Sequence, residues 1–242
     1  FLFAAFLYFA TRLRPVRELF RLDFDWREFR ELLGYCIAIS IASALCYGSL
    51  LVIRRHVILS LGTAANGLLQ VPLALTAYYT PFLTNGLWAR LHPQVSVYGD
   101  THPARHELAH TLQMIALLSG GFIVVLLLFS RFLVKALYSP VFLESTKLMP
   151  VQFFGDFCYL IAFTTSVYFL AAAKLRIYLA SWTVYYGLLT TLVYALTPTL
   201  GLHAFPYAYA ISGAALCAAA LAWFAWAEFR SPRHGDMLST LA

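Results

Sequence analysis

The amino-acid sequence predicts an all-α integral membrane fold, and three features of it carry that expectation. Hydrophobic residues make up 61% of the 242-residue chain and charged residues 12%, against about half and roughly 25% in soluble domains. With a mean hydropathy of +0.74, the chain has too little polar surface to coat a globule of its length, and lipid suits it as a solvent. Its apolar residues are gathered into long blocks; about 20 such residues carry a helix across roughly 30 Å of hydrocarbon. Only helices and closed barrels satisfy the backbone there, and the sequence shows no ten-residue stretches of alternating polarity that would suggest a barrel.

Taken in order, residues 1–10 (FLFAAFLYFA) are apolar but too short to span, with neither an initiator Met nor a signal-cleavage pattern. They read as the cut end of an earlier transmembrane helix. Residues 11–31 read as a cytoplasmic amphipathic segment: Leu19, Leu22, Trp26, Phe29 and Leu33 recur at spacings of three and four. Asp23 and Arg27, then Arg27 and Glu31, form i,i+4 pairs along it. Residues 32–228 are expected to form a six-helix lobe, and 229–242 a cytoplasmic tail. The expected spans are Leu32–Ile53, Thr63–Trp88, Thr111–Phe129, Met149–Ala173, Ile177–Pro198 and His203–Ala227. Connections are short, so no loop forms a separate domain.

Orientation follows from the basic residues. If residues 11–31 are cytoplasmic, that side holds Arg12, Arg14, Arg17, Arg21, Arg27, Arg30, Arg90, Arg105, Lys174, Arg176, Arg230 and Arg233. The other side holds only Arg54, Arg55, Arg131, Lys135 and Lys147. Both ends of the chain are therefore expected in the cytoplasm. The net charge of +6 sits between apolar blocks, where it serves topology and anionic headgroups rather than nucleic acid. Cys36, Cys46, Cys158 and Cys217 fall inside apolar blocks with no metal or redox spacing.

Four segments in succession resemble the second half of O-antigen and related polysaccharide flippases, within the superfamily of multidrug, oligosaccharidyl-lipid and polysaccharide exporters. In IRRHVILSLGTAANGLLQ, residues 53–70, an Arg ends one span and Gly-x4-Gly-x2-Gln begins the next; these are Arg54, Gly62, Gly67 and Gln70. LHPQVS, residues 91–96, resembles the Pro-x-x-Ser that closes that span. ALYSPVFLESTKLMPVQFFGD, residues 136–156, resembles a Tyr-Ser-x-x-Phe segment leading into Gly-Asp, and AKLRIY, residues 173–178, a short basic inner loop. The chain departs from the family at Tyr159, where a Lys is frequent, at Trp182, where a Glu is expected, and at Phe205 and Pro206, where small residues are usual.

The resemblance implies one lobe of a two-lobed exporter of about twelve helices, working by alternating access without covalent catalysis or a cofactor. Residues 11–31 would join the lobes. The implied membrane is the bacterial inner membrane, and the implied process is lipopolysaccharide or other surface polysaccharide synthesis. The implied cargo is an oligosaccharide on undecaprenyl diphosphate, with a proton or sodium gradient as driving force and membrane lipids, a polysaccharide polymerase and chain-length proteins as partners. On that reading Arg54 and Arg55 contact the diphosphate, the alternative being that they snorkel to headgroups. Gln70, Tyr78, Tyr79 and Asn85, on an unusually polar second span, line a sugar-facing path or bond between helices. Pro72 and Pro81 interrupt the same span, as bent helices bordering a substrate path do. Asp156 is a coupling-ion candidate, with Lys147 or a backbone group as an alternative partner.

Rival readings rest on other residues. His106-Glu107-Leu108-Ala109-His110 fits the His-Glu-x-x-His pattern of zinc proteases, but a third ligand is needed, and Pro103 is expected to break a helix shared with His102. A drug or cation exporter of the same superfamily would favour more buried acids than Asp156. A glycan polymerase or ligase would need a large acidic external loop, whereas Arg131–Leu148 contains only Glu144 as an acid.

Overall fold

The computed structural model describes residues 26–98 and 101–229. The expected helix end at 1–10, most of the amphipathic segment and the tail from 230 onward lie outside them. Every described element is helical. In chain order these are α1 (Trp26–Leu61), α2 (Thr63–Tyr98), α3 (His102–Leu128), α4 (Ser130–Leu137), a 3-10 turn (Pro140–Lys147), α5 (Met149–Ala171), α6 (Leu175–Leu200), a 3-10 turn (Gly201–His203) and α7 (Ala204–Phe229).

Four stretches are long and apolar enough to cross a membrane: Phe29–Leu61, Pro103–Leu128, Met149–Ala171 and Leu175–Ala227. The chain is thus a membrane-embedded helical protein. The last stretch comprises two helices, α6 and α7, bent back at Gly201, whose φ of 53° suits glycine. Helix α2 falls outside the four; polar residues from Asn66 to Asn85 lower its hydropathy.

Several helices exceed their expected spans. Helix α1 runs unbroken from Trp26 across the expected 31/32 boundary and continues past Ile53 through Arg54 and Arg55 to Leu61. Pro72, Pro81 and Pro93 all lie inside α2, which remains one helix. Pro103 occupies the first turn of α3 rather than ending a helix; a proline there removes an N–H that has no intrahelical partner anyway.

The described residues divide at Ile37 and Ala38 into two compact units. In the first, Trp26 stacks on Phe29 with 5.6 Å between ring centroids, and Arg27 Nε lies 3.8 Å from Glu31. In the second, α5 is the inner helix, packed against α2, α3, α6 and α7. Most of its apolar stretch is buried, against less than a third of that of α3.

Small residues set the α5–α7 crossing. A Cβ on Gly155 would lie 3.1 Å from Ala210 Cα and collide with the Tyr209 ring; one on Gly213 would lie 3.0 Å from the Gly155 carbonyl oxygen. In hydrocarbon, helices associate through such close packing, because lipid is as apolar as the side chains. This crossing fixes Tyr209 of α7 beside the one carboxylate of α5, Asp156.

Candidate functional site

Two polar groupings stand out. The first is at the α1–α2 hairpin. Gly62, with φ of 88°, provides the left-handed residue at which α1 stops and α2 starts. Arg54 lies eight positions before Gly62 and Gln70 eight after, so the antiparallel arms bring them level. Arg54 Nη2 donates to Gln70 Oε1 at 2.8 Å. Both side chains are exposed, as is Arg55. Gln70 thus holds one edge of the guanidinium and leaves its other N–H groups free to meet an anion. Further along α2, Tyr78 and Asn85 are exposed. Thr84 is half-buried, its hydroxyl donating to the Thr80 carbonyl at 3.0 Å.

The second grouping is buried. Asp156, 1% exposed, accepts hydrogen bonds at Oδ2 from the Tyr79 hydroxyl at 2.6 Å and the Thr76 hydroxyl at 2.7 Å. Those donors come from α2, one turn apart on the same face. Tyr79 is 5% exposed and Tyr78 71% exposed, as adjacent helical positions about 100° apart around the axis require. Tyr79 therefore does not share the exposed face of Tyr78, and its hydroxyl is committed to Asp156. Lys147, the alternative partner expected for Asp156, pairs instead with Glu144 at 3.5 Å.

Around the carboxylate, Gln152 and Tyr209 are further polar neighbours. Sequence reasoning passed over Gln152, although a Gln four residues before an Asp in an apolar span shares its helix face. Beyond Tyr209 the core is aromatic. Tyr159 lies 5.7 Å from Trp182 and from Tyr185, centroid to centroid, and Tyr209 stacks on Phe205 at 6.0 Å. Tyr159, Trp182 and Phe205, three of the departures from the flippase pattern, thus belong to one continuous aromatic layer. Ring pairs at these separations contribute about 0.5–1.5 kcal/mol each beyond area burial.

The His-Glu-x-x-His residues lie on α3. Glu107 Oε1 accepts from Arg90 Nε at 2.9 Å, and Arg90 Nη2 approaches His110 Nδ1 at 3.4 Å; His106 is exposed. The carboxylate that would act as general base is thus neutralised by an arginine. Among the described residues no group of three or more His, Cys, Asp or Glu could hold a metal ion.

No family model matches this chain, and neither does a curated protein or a solved structure.

Proposed function

We propose that the chain is one lobe of a flippase that carries an undecaprenyl-diphosphate-linked oligosaccharide across the bacterial inner membrane by alternating access. The observation that carries this reading is the Arg54–Gln70 bond. It joins two residues that the family resemblance singled out independently, at the end of a hairpin, with Arg55 beside them. Unaided, a diphosphate and its sugars would lose their water in hydrocarbon, at several kcal/mol per unpaired polar group. A guanidinium oriented by an amide offers the diphosphate oxygens paired N–H donors.

Six crossings fit the lobe: α1, α2, α3, α5, α6 and α7. Even α5, with 23 residues, is about 34 Å long, enough for the hydrocarbon. The more polar α2 is then the helix that faces the translocation path, where Tyr78 and Asn85 offer sugar contacts. The Arg90–Glu107 pair ties α2 to α3 at the cytoplasmic end.

Arg54→Ala is expected to lower flipping by about tenfold or more, the loss of one charge-assisted contact, at unchanged abundance in the membrane. Arg54→Lys restores only part of it, because a point charge replaces a bidentate fork. The readout is surface glycan per cell alongside quantified protein. Wild-type glycan with the Ala variant at normal abundance would remove Arg54 from the mechanism. The exporter of drugs or cations is the second reading, favoured by Asp156, a carboxylate within the bilayer span with no ion-pair partner among the described residues.

A further inference from the structure

We propose that α4 is an interfacial helix lying along the membrane surface, where Arg131 and Lys135 hold the headgroup phosphate of an anionic phospholipid. Binding there requires only the membrane-embedded fold and no particular cargo.

Helix α4 (Ser130–Leu137) stands in the connection between two stretches that are each able to cross the membrane, Pro103–Leu128 and Met149–Ala171. It begins where the first of them ends. Phe129, with ψ of 5°, interrupts the helix between them, since α-helical residues hold ψ near about −42°. Eight residues make a rod of about 12 Å, far too short for the roughly 30 Å of hydrocarbon.

The sequence of α4, SRFLVKAL, sorts the surface of that rod by polarity. At about 100° per residue, Arg131 and Lys135 lie about 40° apart, with Leu133 opposite them and Phe132 and Val134 about 80° to either side. Val134 is 0% exposed and holds the helix against the protein, whereas Phe132 is 67% exposed. Leu137, Phe129 and, in the following 3-10 turn, Val141 are exposed too. A basic ridge above an apolar flank and underside is the pattern of a helix in the plane of the interface. Phe132 then enters the acyl boundary while the cations stay at headgroup level.

Charge selects the ligand. Arg131 and Lys135 are both exposed, and neither has an ion-pair partner among the described residues. Helix α4 carries no acid, and Glu144, in the adjoining turn, is paired with Lys147. Like charges four residues apart on a helix repel, with Cβ atoms only about 5–6 Å apart. A phosphate between them reverses that penalty, taking paired N–H groups from the guanidinium and a point charge from the ammonium. A phospholipid brings its phosphate to the depth of the basic ridge, and its acyl chains cover the apolar surface of Phe132 and Leu137. A soluble phosphate would satisfy the two cations alone.

The test is photocrosslinking of the purified full chain, in neutral detergent, to a phosphatidylglycerol carrying a diazirine in its acyl chain. Label on the peptide containing Phe132 and Leu137 is quantified against label on α3 near Leu117, a 78% exposed residue that reports general lipid contact. Unlabelled phosphatidylglycerol is expected to displace the α4 label, and equal amounts of phosphatidylcholine or inorganic phosphate to leave it. The double variant Arg131→Gln, Lys135→Gln should lower the α4 label about tenfold or more, with the Leu117 label unchanged. Lys147→Gln, which removes a cation already paired, should keep the wild-type label. Full α4 labelling in the double variant, or displacement by phosphatidylcholine as readily as by phosphatidylglycerol, would overturn the site. Displacement by inorganic phosphate would overturn the lipid as its ligand.

Discussion

Gly155→Val is expected to leave almost no folded protein in the membrane. A Cβ at this position meets the Tyr209 ring and lies 3.1 Å from the Ala210 backbone. The ring has little room to retreat, since it stacks on Phe205 at 6.0 Å and lies 6.3 Å from Tyr159. The Ala210 Cα moves only if α7 itself shifts. Overpacking in ordinary cores costs about 1–3 kcal/mol; with backbone on one side and a stacked ring on the other, the effect belongs at or above the top of that range. Gly213→Val should act similarly through the Gly155 carbonyl. Gly187→Ala, which meets no atom within 4 Å, is the control and should be close to neutral. Membrane abundance and unfolding midpoint in detergent read the difference, and a Gly155→Val protein with wild-type values would contradict the crossing described here.

Tyr79→Phe is expected to destabilise the lobe by about 1–2 kcal/mol, a charge-assisted bond lost within a membrane span. The ring stays, so its contacts with Phe122 at 5.2 Å and Phe153 at 6.2 Å persist and only the donor to Asp156 is removed. Asp156→Leu goes further, because it strands the Tyr79 hydroxyl in the core without an acceptor and leaves the Thr76 hydroxyl only the Pro72 carbonyl, at 3.1 Å. Combining Tyr79→Phe with Asp156→Leu should therefore cost less than the sum of the two, the signature of a shared interaction. Additive losses in denaturant unfolding would mean that the 2.6 Å bond contributes nothing.

The helical membrane fold was legible in the apolar blocks, since length and hydropathy alone dictate it. Where the helices stop was less so. The Arg54–Arg55 pair looks like the end of a span because charge leaves hydrocarbon there, yet helix propensity continues to Gly62, the first residue whose backbone must turn. Residues 26–31 look distinct from the following span by charge, and no breaker separates them from it. Pro72 and Pro81 signal interruption, but neighbouring helices and side-chain donors tolerate their missing N–H groups within α2.

At the candidate site, Arg54 and Gln70 stood in one sequence motif but as separate contacts, for diphosphate and for sugar; their bond comes from the hairpin at Gly62, which lies midway between them. The partners of Asp156 were not. Thr76 and Tyr79 are 80 and 77 residues away in sequence, and which helices pack together depends on tertiary contacts that periodicity does not encode. Nor does the pair Tyr78–Tyr79 announce which member turns inward. The helical period separates them, and only the position of α5 decides.

The central claim is best tested by extracting undecaprenyl-linked saccharides from cells in which the gene is disrupted and comparing them with wild type. The account predicts a build-up of completed repeat units on the cytoplasmic face, with their assembly chemistry intact and their transfer outward stopped. An unchanged pool of lipid-linked glycans would contradict it, and would turn the search for a cargo to cationic or other small molecules.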